Sequence, residues 1–263
     1  MKKYIDNVLL GADPEVFLLD QKTNKYVSSI GLIGGSKENP RDLGNGIFVQ
    51  EDNVLAEFNI PPAKTLEEFK GSITRGVKEI ELLLPKGVVV DIKPYAFFGE
   101  DQLRHEKALE FGCTPDFNCW TLEQNISPTA KDQTLRTGAG HIHFSWDNPE
   151  LPISRQLGRA LDLYTAVPAT LISDEGPRKE LYGKMGCVRF KAYGLEYRTL
   201  SNFWLKTEAL IEWAYQASME AIAFVNGGKK IDEITEAIMA MAINESNREA
   251  AEFLVDEFKL KLA

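Results

Sequence analysis

The order of strand-like and helix-like segments predicts an α+β protein with a largely antiparallel sheet. Three observations carry the prediction. Short runs rich in β-branched and aromatic residues fill the first sixty positions and return near 88–98, 141–146 and 193–200. Helical periodicity is confined to 65–84, to a stretch from about Ser154, and to the chain beyond Thr207. The two kinds of segment do not alternate in the regular strand–helix order that a parallel sheet requires.

In chain order, Glu15-Val16-Phe17-Leu18-Leu19 reads as the first strand. Ile47 to Gln50 and Val54 to Ile60 read as a hairpin turned at Asp52-Asn53. Thr65-Leu66-Glu67-Glu68 has the capping-box pattern. Leu66, Phe69, Ile73, Val77, Ile80 and Leu84 then recur at helical spacing as far as Pro85. Val88 to Val90 and Ala96 to Phe98 are strand-like, 101–137 is irregular, and Phe111 to Asp116 resembles an ordered loop. A strand from His141 to Trp146 leads to a helix from about Ser154, which Pro168 bends or ends. Tyr193 to Leu200 reads as another strand. A helix from Thr207 stops at Asn226-Gly227-Gly228, and acidic helices follow. No linker, repeat or low-complexity tract divides the chain, so 1–263 is expected to be one domain, with 206–263 its C-terminal helices.

The 263 residues hold 30 basic and 39 acidic side chains, a net charge of -9, with 44% hydrophobic residues. That balance speaks against nucleic acid as a partner. No apolar run reaches the length of a membrane helix, and the N-terminus lacks the apolar core of a signal peptide. A cytoplasmic protein without a membrane partner is expected. Cys113, Cys119 and Cys187 form no C-x-x-C pair. His105 with the first two would still lack a fourth zinc ligand.

Polar residues two apart in a strand share a face. Asp13 with Glu15, His141 with His143, Glu196 with Arg198, and Glu57 with Asn59 therefore project in pairs, each what a water-facing sheet could also show. Together, Asp13, Glu15, Glu57 and Glu196 beside two histidines form a self-repelling face unless cations sit among them. Oxygen ligands with an imidazole suit Mg²⁺ or Mn²⁺. Arg178, Arg189 and Arg198 suit phosphate or carboxylate. Neither Gly34-Gly35-Ser36-Lys37 nor Gly138-Ala139-Gly140 has the spacing of a P-loop or dinucleotide fingerprint.

The strand Gly138-Ala139-Gly140-His141-Ile142-His143-Phe144-Ser145 resembles the glycine-x-glycine-x-His-x-His-x-Ser strand of glutamine synthetases. Glu196-Tyr197-Arg198 is similar to their late Glu-x-Arg strand, and Asp13-x-Glu15 stands where they carry Glu-x-Glu. The series GADPEVFL, QEDNVLAEFNIPPA, FGCTPDFNCW, GAGHIHFSW, YGKMGCVRF and YGLEYRTLSNFW, running from residue 11 to 204, most resembles the phage-type carboxylate-amine (COOH-NH2) ligases, type 2, of the glutamine synthetase-like superfamily. The helices after Trp204 add little to it.

The resemblance implies a glutamine synthetase-like curved sheet backed by helices, with two divalent metals on its concave face. It places Glu15, Glu51 and Glu57 on one metal and Asp13, His141 and Glu196 on the other. His143, Arg189, Arg178 and Lys184 would approach the phosphates of ATP, and Arg198 and Glu51 would be catalytic. Two departures are visible: Asp13 is one methylene shorter than the family's glutamate, and the Glu51 to Glu57 interval is shorter than in glutamine synthetase. The implied reaction activates a small-molecule or peptide carboxylate as an acyl phosphate, using ATP and Mg²⁺ or Mn²⁺, and an amine then converts it to an amide. The base that deprotonates the amine is not identified, Glu51 and Asp52 being candidates by their place in a turn. A guanidino kinase-like phosphotransferase and a non-catalytic nucleotide-binding or structural phage protein are the alternatives. An oligomer is compatible with the sequence.

Overall fold

The computed structural model describes residues 4–109, 116–126 and 128–263. Its strands and helices are mixed in the predicted α+β manner, and every strand pairing among the described residues is antiparallel. The early strands are β1 (Leu9–Ala12), β2 (Glu15–Asp20), β3 (Lys25–Val27), β4 (Arg41–Asp42), β5 (Phe48–Asp52) and β6 (Leu55–Asn59). Helix α1 (Leu66–Leu83) follows, then β7 (Val88–Asp91), β8 (Tyr95–Phe97), the single turn α2 (Glu106–Leu109), β9 (Phe117–Asn118), β10 (Leu135–Thr137) and β11 (Ile142–Ser145). Helices α3 (Leu151–Leu161), α4 (Val167–Ile172) and α5 (Arg178–Leu181) lead to the hairpin β12 (Cys187–Lys191) and β13 (Gly194–Tyr197). The chain ends in α6 (Glu208–Asn226), α7 (Glu233–Asn244) and α8 (Arg248–Phe258).

Two sheets carry the architecture. One runs β1-β11-β13-β12-β9, and the other β3-β2-β6-β5-β4 with β7 also on β2. They join through Asp13-Pro14, where β1 ends and β2 begins. Proline has no N–H to give a ladder, yet the Pro14 carbonyl still accepts from the Phe58 amide at 3.2 Å. Past β6 the chain returns along the free side of β1, with Ile60 N–H donating to Ala12 O at 3.0 Å and Ala63 N–H to Leu10 O at 2.8 Å. The two sheets thereby continue into one curled surface.

Alternation assigns the faces. Leu10, Ile142, Phe144, Leu195, Tyr197 and Val188 are buried on one side of the first sheet, where α3 packs on β12 and β13, and α6 packs on α3 and α1. The α1 capping box forms as read: Thr65 Oγ1 accepts from the Glu68 amide at 3.2 Å, and Glu68 Oε2 accepts from the Thr65 amide at 3.2 Å. Thr207 caps α6 through Leu210 N–H.

Some boundaries differ from the sequence reading. The helix expected from Ser154 starts at Leu151 and does not end at Pro168. A π-helical segment, Asp162–Ala166, widens the backbone just before α4, so the missing N–H of Pro168 falls in the first turn after it. Strand β12 was not read from the sequence, because its inward residues alternate with Cys187, Arg189 and Lys191 instead of forming an apolar run. Within 101–137, α2, β9 and β10 are short elements; the part of the expected ordered loop from Phe111 to Pro115, Cys113 included, lies outside the described residues.

Candidate active site

The polar side of the first sheet is built by register. His143 pairs with Gly11 on β1 and with Glu196 on β13, and Glu196 pairs with Arg189 on β12. Two residues along each strand stand Asp13, His141 and Arg198, the next row on the same face. Asp13 Oδ1 lies 3.3 Å from His141 Nδ1 and 3.0 Å from His143 Nε2. Glu196, 1% exposed, meets Arg189 at 3.0 Å and Lys191 at 2.9 Å, and also Arg198. Arg198 turns its Nε to Asp116 Oδ2 at 3.2 Å, and His143 Nδ1 is 2.7 Å from the Tyr193 hydroxyl.

The second sheet contributes another acidic group. Glu15 and Glu57 are cross-strand partners, and Gln50 is opposite Glu57 on the far side. Glu57 Oε2 accepts from Gln50 Nε2 at 2.7 Å, while Glu15 Oε2 accepts from the Ala139 amide at 2.9 Å. Among the described residues two groups bring ligand-type atoms within 4.8 Å of one another: Asp13, His143 and Glu196, and Glu15, Asp52 and Glu57.

The groups differ in charge balance. Around Asp13 and Glu196 stand Arg189, Lys191, Arg198 and two imidazoles. Burial works against the Glu196 carboxylate, but His141 and Arg198 outweigh it and hold the group at about 2. Asp13 is likewise held well below the usual carboxylate range, burial being overcome by the His143 and His141 rings. His143 is raised: burial disfavours its cation, and Asp13 more than compensates. His141 is lowered by burial and by Arg198 beside it. In the other group, burial pushes Glu15 up to about 8, with repulsion from Asp52 next. Burial, then Asp13, Asp52 and Glu15, push Glu57 well above the usual range. The self-repulsion read from the sequence is thus concentrated in Glu15, Asp52 and Glu57, whereas protein cations already offset the charges of Asp13 and Glu196.

Several sequence-read residues are placed differently. The hairpin turns at Asn53-Val54, one residue later than read, with Asp52 opposite Leu55 and Glu51 opposite Ala56. Asp52, in phase with Gln50 along the strand opposite Glu57, joins Glu57, while the out-of-phase Glu51 carboxylate accepts from the Gly31 and Gly34 amides, both at 2.8 Å. His143 groups with Asp13 and Glu196, and His141 Nδ1 also lies 3.3 Å from Asp13 Oδ1 and 4.0 Å from Glu196 Oε1. Arg178 lines the cleft, but its guanidinium is buried in an ion pair with Glu175 at 2.7 Å. Lys184 does not line the cleft; its ammonium donates to Asn244 O at 3.2 Å, at the end of α7. Asp116, Gln50, Lys191 and Tyr193 were not read as site residues. Gln50 and Asp52 share the period-two pattern with Glu57 once the turn is placed, so that signal was present. Tyr193 sits in a hairpin turn, where strand parity says nothing.

The cleft has a volume of about 410 Å³ and is lined by Asp13, Glu15, Asp52 and Glu57 together with Lys37, Lys107, Arg189 and Arg198. Its second sheet, its first sheet and the 175–183 segment meet there, and comparison with known proteins bears on the last two. Residues 130–256 match the family model of the phage phiEco32-like COOH.NH2 ligases, type 2. The resemblance to the type 2 carboxylate-amine ligases is thereby borne out over that stretch. The matched region contains His141, His143, Arg178, Arg189, Glu196 and Arg198, and it extends through α6 and α7 into α8, so the helices after Trp204 contribute more to the likeness than the sequence reading gave them. Asp13, Glu15, Asp52 and Glu57 lie outside it. No curated protein matches the chain. Among solved structures, a bifunctional glutathione synthetase from Pasteurella multocida aligns at a TM-score of 0.43 and 12% identity, over 96% of this chain and 47% of its own. The chain thus spans about half the length of that protein. No helix among the described residues is long and apolar enough to cross a membrane.

Proposed function

We propose that the chain is a single ATP-dependent carboxylate-amine ligase unit that forms an amide through an acyl phosphate. The observation that carries this reading is the Glu15, Asp52 and Glu57 group, three carboxylates held within 4.8 Å with burial and mutual repulsion raising Glu15 and Glu57. An all-oxygen donor set of this kind fits a hard divalent cation such as Mg²⁺ or Mn²⁺. Asp13, His143 and Glu196 would hold a second one, with His141 beside them, and ligation there would free Arg189 and Arg198 from Glu196 to face phosphate oxygens. Bound metals would supply charge neutralisation and in-line alignment of the triphosphate.

The chain's own residues then divide the work. Arg189 and Arg198 bind and orient the transferring phosphoryl group and the acceptor carboxylate through planar donor forks. The Asp116 contact holds Arg198 in place. Arg178 supports the floor of the cleft through its pair with Glu175. The carboxylate is a small molecule or a peptide terminus, and the second substrate is an amine. Hydroxylamine trapping tests the reading: incubated with Mg²⁺, ATP and a panel of amino acids, peptides and polyamine precursors, the protein should yield a hydroxamate together with ADP. ADP without any hydroxamate or amide would favour a phosphotransferase instead, and no ADP with any candidate would favour a non-catalytic nucleotide-binding protein.

A further inference from the structure

On the far side of Arg178 from the cleft, α4, α5, the exit of β13 and the turn between α7 and α8 surround a second cavity of about 720 Å³. That volume is within the range of small-molecule sites. The cavity shares no lining residue with the carboxylate cleft. Its walls include the half-buried aliphatic side chains of Leu171 and Ile172 and the cations Lys179 and Arg248.

These two cations are short of counter-charge. Lys179 donates to two neutral carbonyls, Gly183 O at 2.6 Å and Ile243 O at 3.0 Å. Arg248 Nη1 donates to Thr170 O at 3.3 Å. Neither makes a salt bridge among the described residues. The nearest buried acid, Glu175, is already committed: Oε1 accepts from Ser173 at 2.9 Å and Ser201 at 2.6 Å, and Oε2 from Arg178 at 2.7 Å. Asp174 is exposed, and its Oδ1 accepts from the Gly176 amide at 3.1 Å. Burial, and then Arg178, lower the Lys179 ammonium to about 8, with Glu175 only partly offsetting them. A buried ammonium is stabilised by an anion, and an aliphatic wall gains by covering hydrocarbon.

We propose that this cavity is a binding site for a small aliphatic carboxylate, whose acid group pairs with Lys179 and Arg248 and whose hydrocarbon part lies along Leu171 and Ile172. The inference stands apart from the ligase reading, since it uses none of the metal or phosphate residues. Calorimetric titration of the full chain with octanoate, at ionic strength held constant with chloride, tests it. Saturable binding of one octanoate per chain is expected, with octylammonium failing to compete. Arg248→Met, at an exposed position that leaves the fold intact, should weaken binding at least about ten-fold, and Lys179→Met should do the same where its circular dichroism spectrum is native. Arg198→Met should leave octanoate affinity unchanged. The proposal is overturned by the absence of saturable binding, by equal affinity in Arg248→Met, or by loss of binding in Arg198→Met, which would locate the anion in the carboxylate cleft.

Discussion

Metal binding at Glu15, Asp52 and Glu57 should expel protons. With Glu15 at about 8 in the metal-free protein, its carboxyl is about 90% protonated at pH 7. A divalent cation needs the ionised form, so occupancy should release about 0.9 proton from Glu15 at pH 7 and about 0.1 at pH 9. Glu57, also raised, adds to the release at pH 7. Apparent affinity should therefore climb with pH up to about 8 and then level. The same shift sets the stability of the metal-free protein. A carboxyl raised in the folded state contributes stability in full below its unfolded value near 4.5. That contribution is lost as the pH rises toward 8, a change of a few kcal/mol. Added Mg²⁺ should consequently raise the melting temperature more at pH 8.5 than at pH 6. Calorimetric titration with Mn²⁺ at pH 7, in two buffers of different ionisation enthalpy, counts the protons directly. Glu15→Gln should lower the count by about one. Tight Mn²⁺ binding with no proton release, or an unchanged count in Glu15→Gln, would refute this placement of the metal.

The hairpin register makes a second prediction. Asp52→Asn should weaken Mg²⁺-ATP binding, whereas Glu51→Gln should leave it intact and cost about 1–2 kcal/mol of stability through the Gly31 and Gly34 amides, as read by calorimetry and thermal melting. The histidines should separate as well. His143→Ala should reduce Mn²⁺ occupancy measured by paramagnetic resonance more than His141→Ala does, and the opposite order would return the ligand role to His141. Arg198→Lys keeps the charge but loses the fork that spans Glu196 and Asp116. Its hydroxamate yield should fall about 100-fold or more while Mg²⁺-ATP affinity stays within a few-fold. A parallel loss of both would make Arg198 a nucleotide anchor.

How far the chain could be read depended on whether the informative pattern was local. The α1 capping box, the helix start near Thr207 and the His141/His143 and Glu196/Arg198 pairs follow from spacing within single elements, and all are found as spaced. Their convergence from β1, β11 and β13 follows from antiparallel register, which alternation leaves free to slide. Glu51 came from the family resemblance, whereas hairpin parity puts Asp52, not Glu51, in phase with Glu57. Lys191 and Arg189 alternate on a strand too polar to announce itself, so the compensation of Glu196 by protein cations was not visible. Lys184 and Arg178 belong to a glycine-flanked basic stretch whose partners, Asn244 and Glu175, lie 60 and 3 positions away. Only the folded arrangement tells a phosphate contact from an internal brace.

The junction at Asp13-Pro14 fixes more than the path of the chain. Asp13 belongs to one acidic group and Glu15 to the other, so the two groups are tethered by two peptide units of extended backbone, about 6–7 Å from Cα to Cα. That interval is set by bond lengths and by a ring that cannot rotate about φ, not by how well the surrounding side chains pack. Repacking the helices behind either sheet would tilt the two groups or shift them together, but the chain itself works as a gauge that keeps them one fixed step apart.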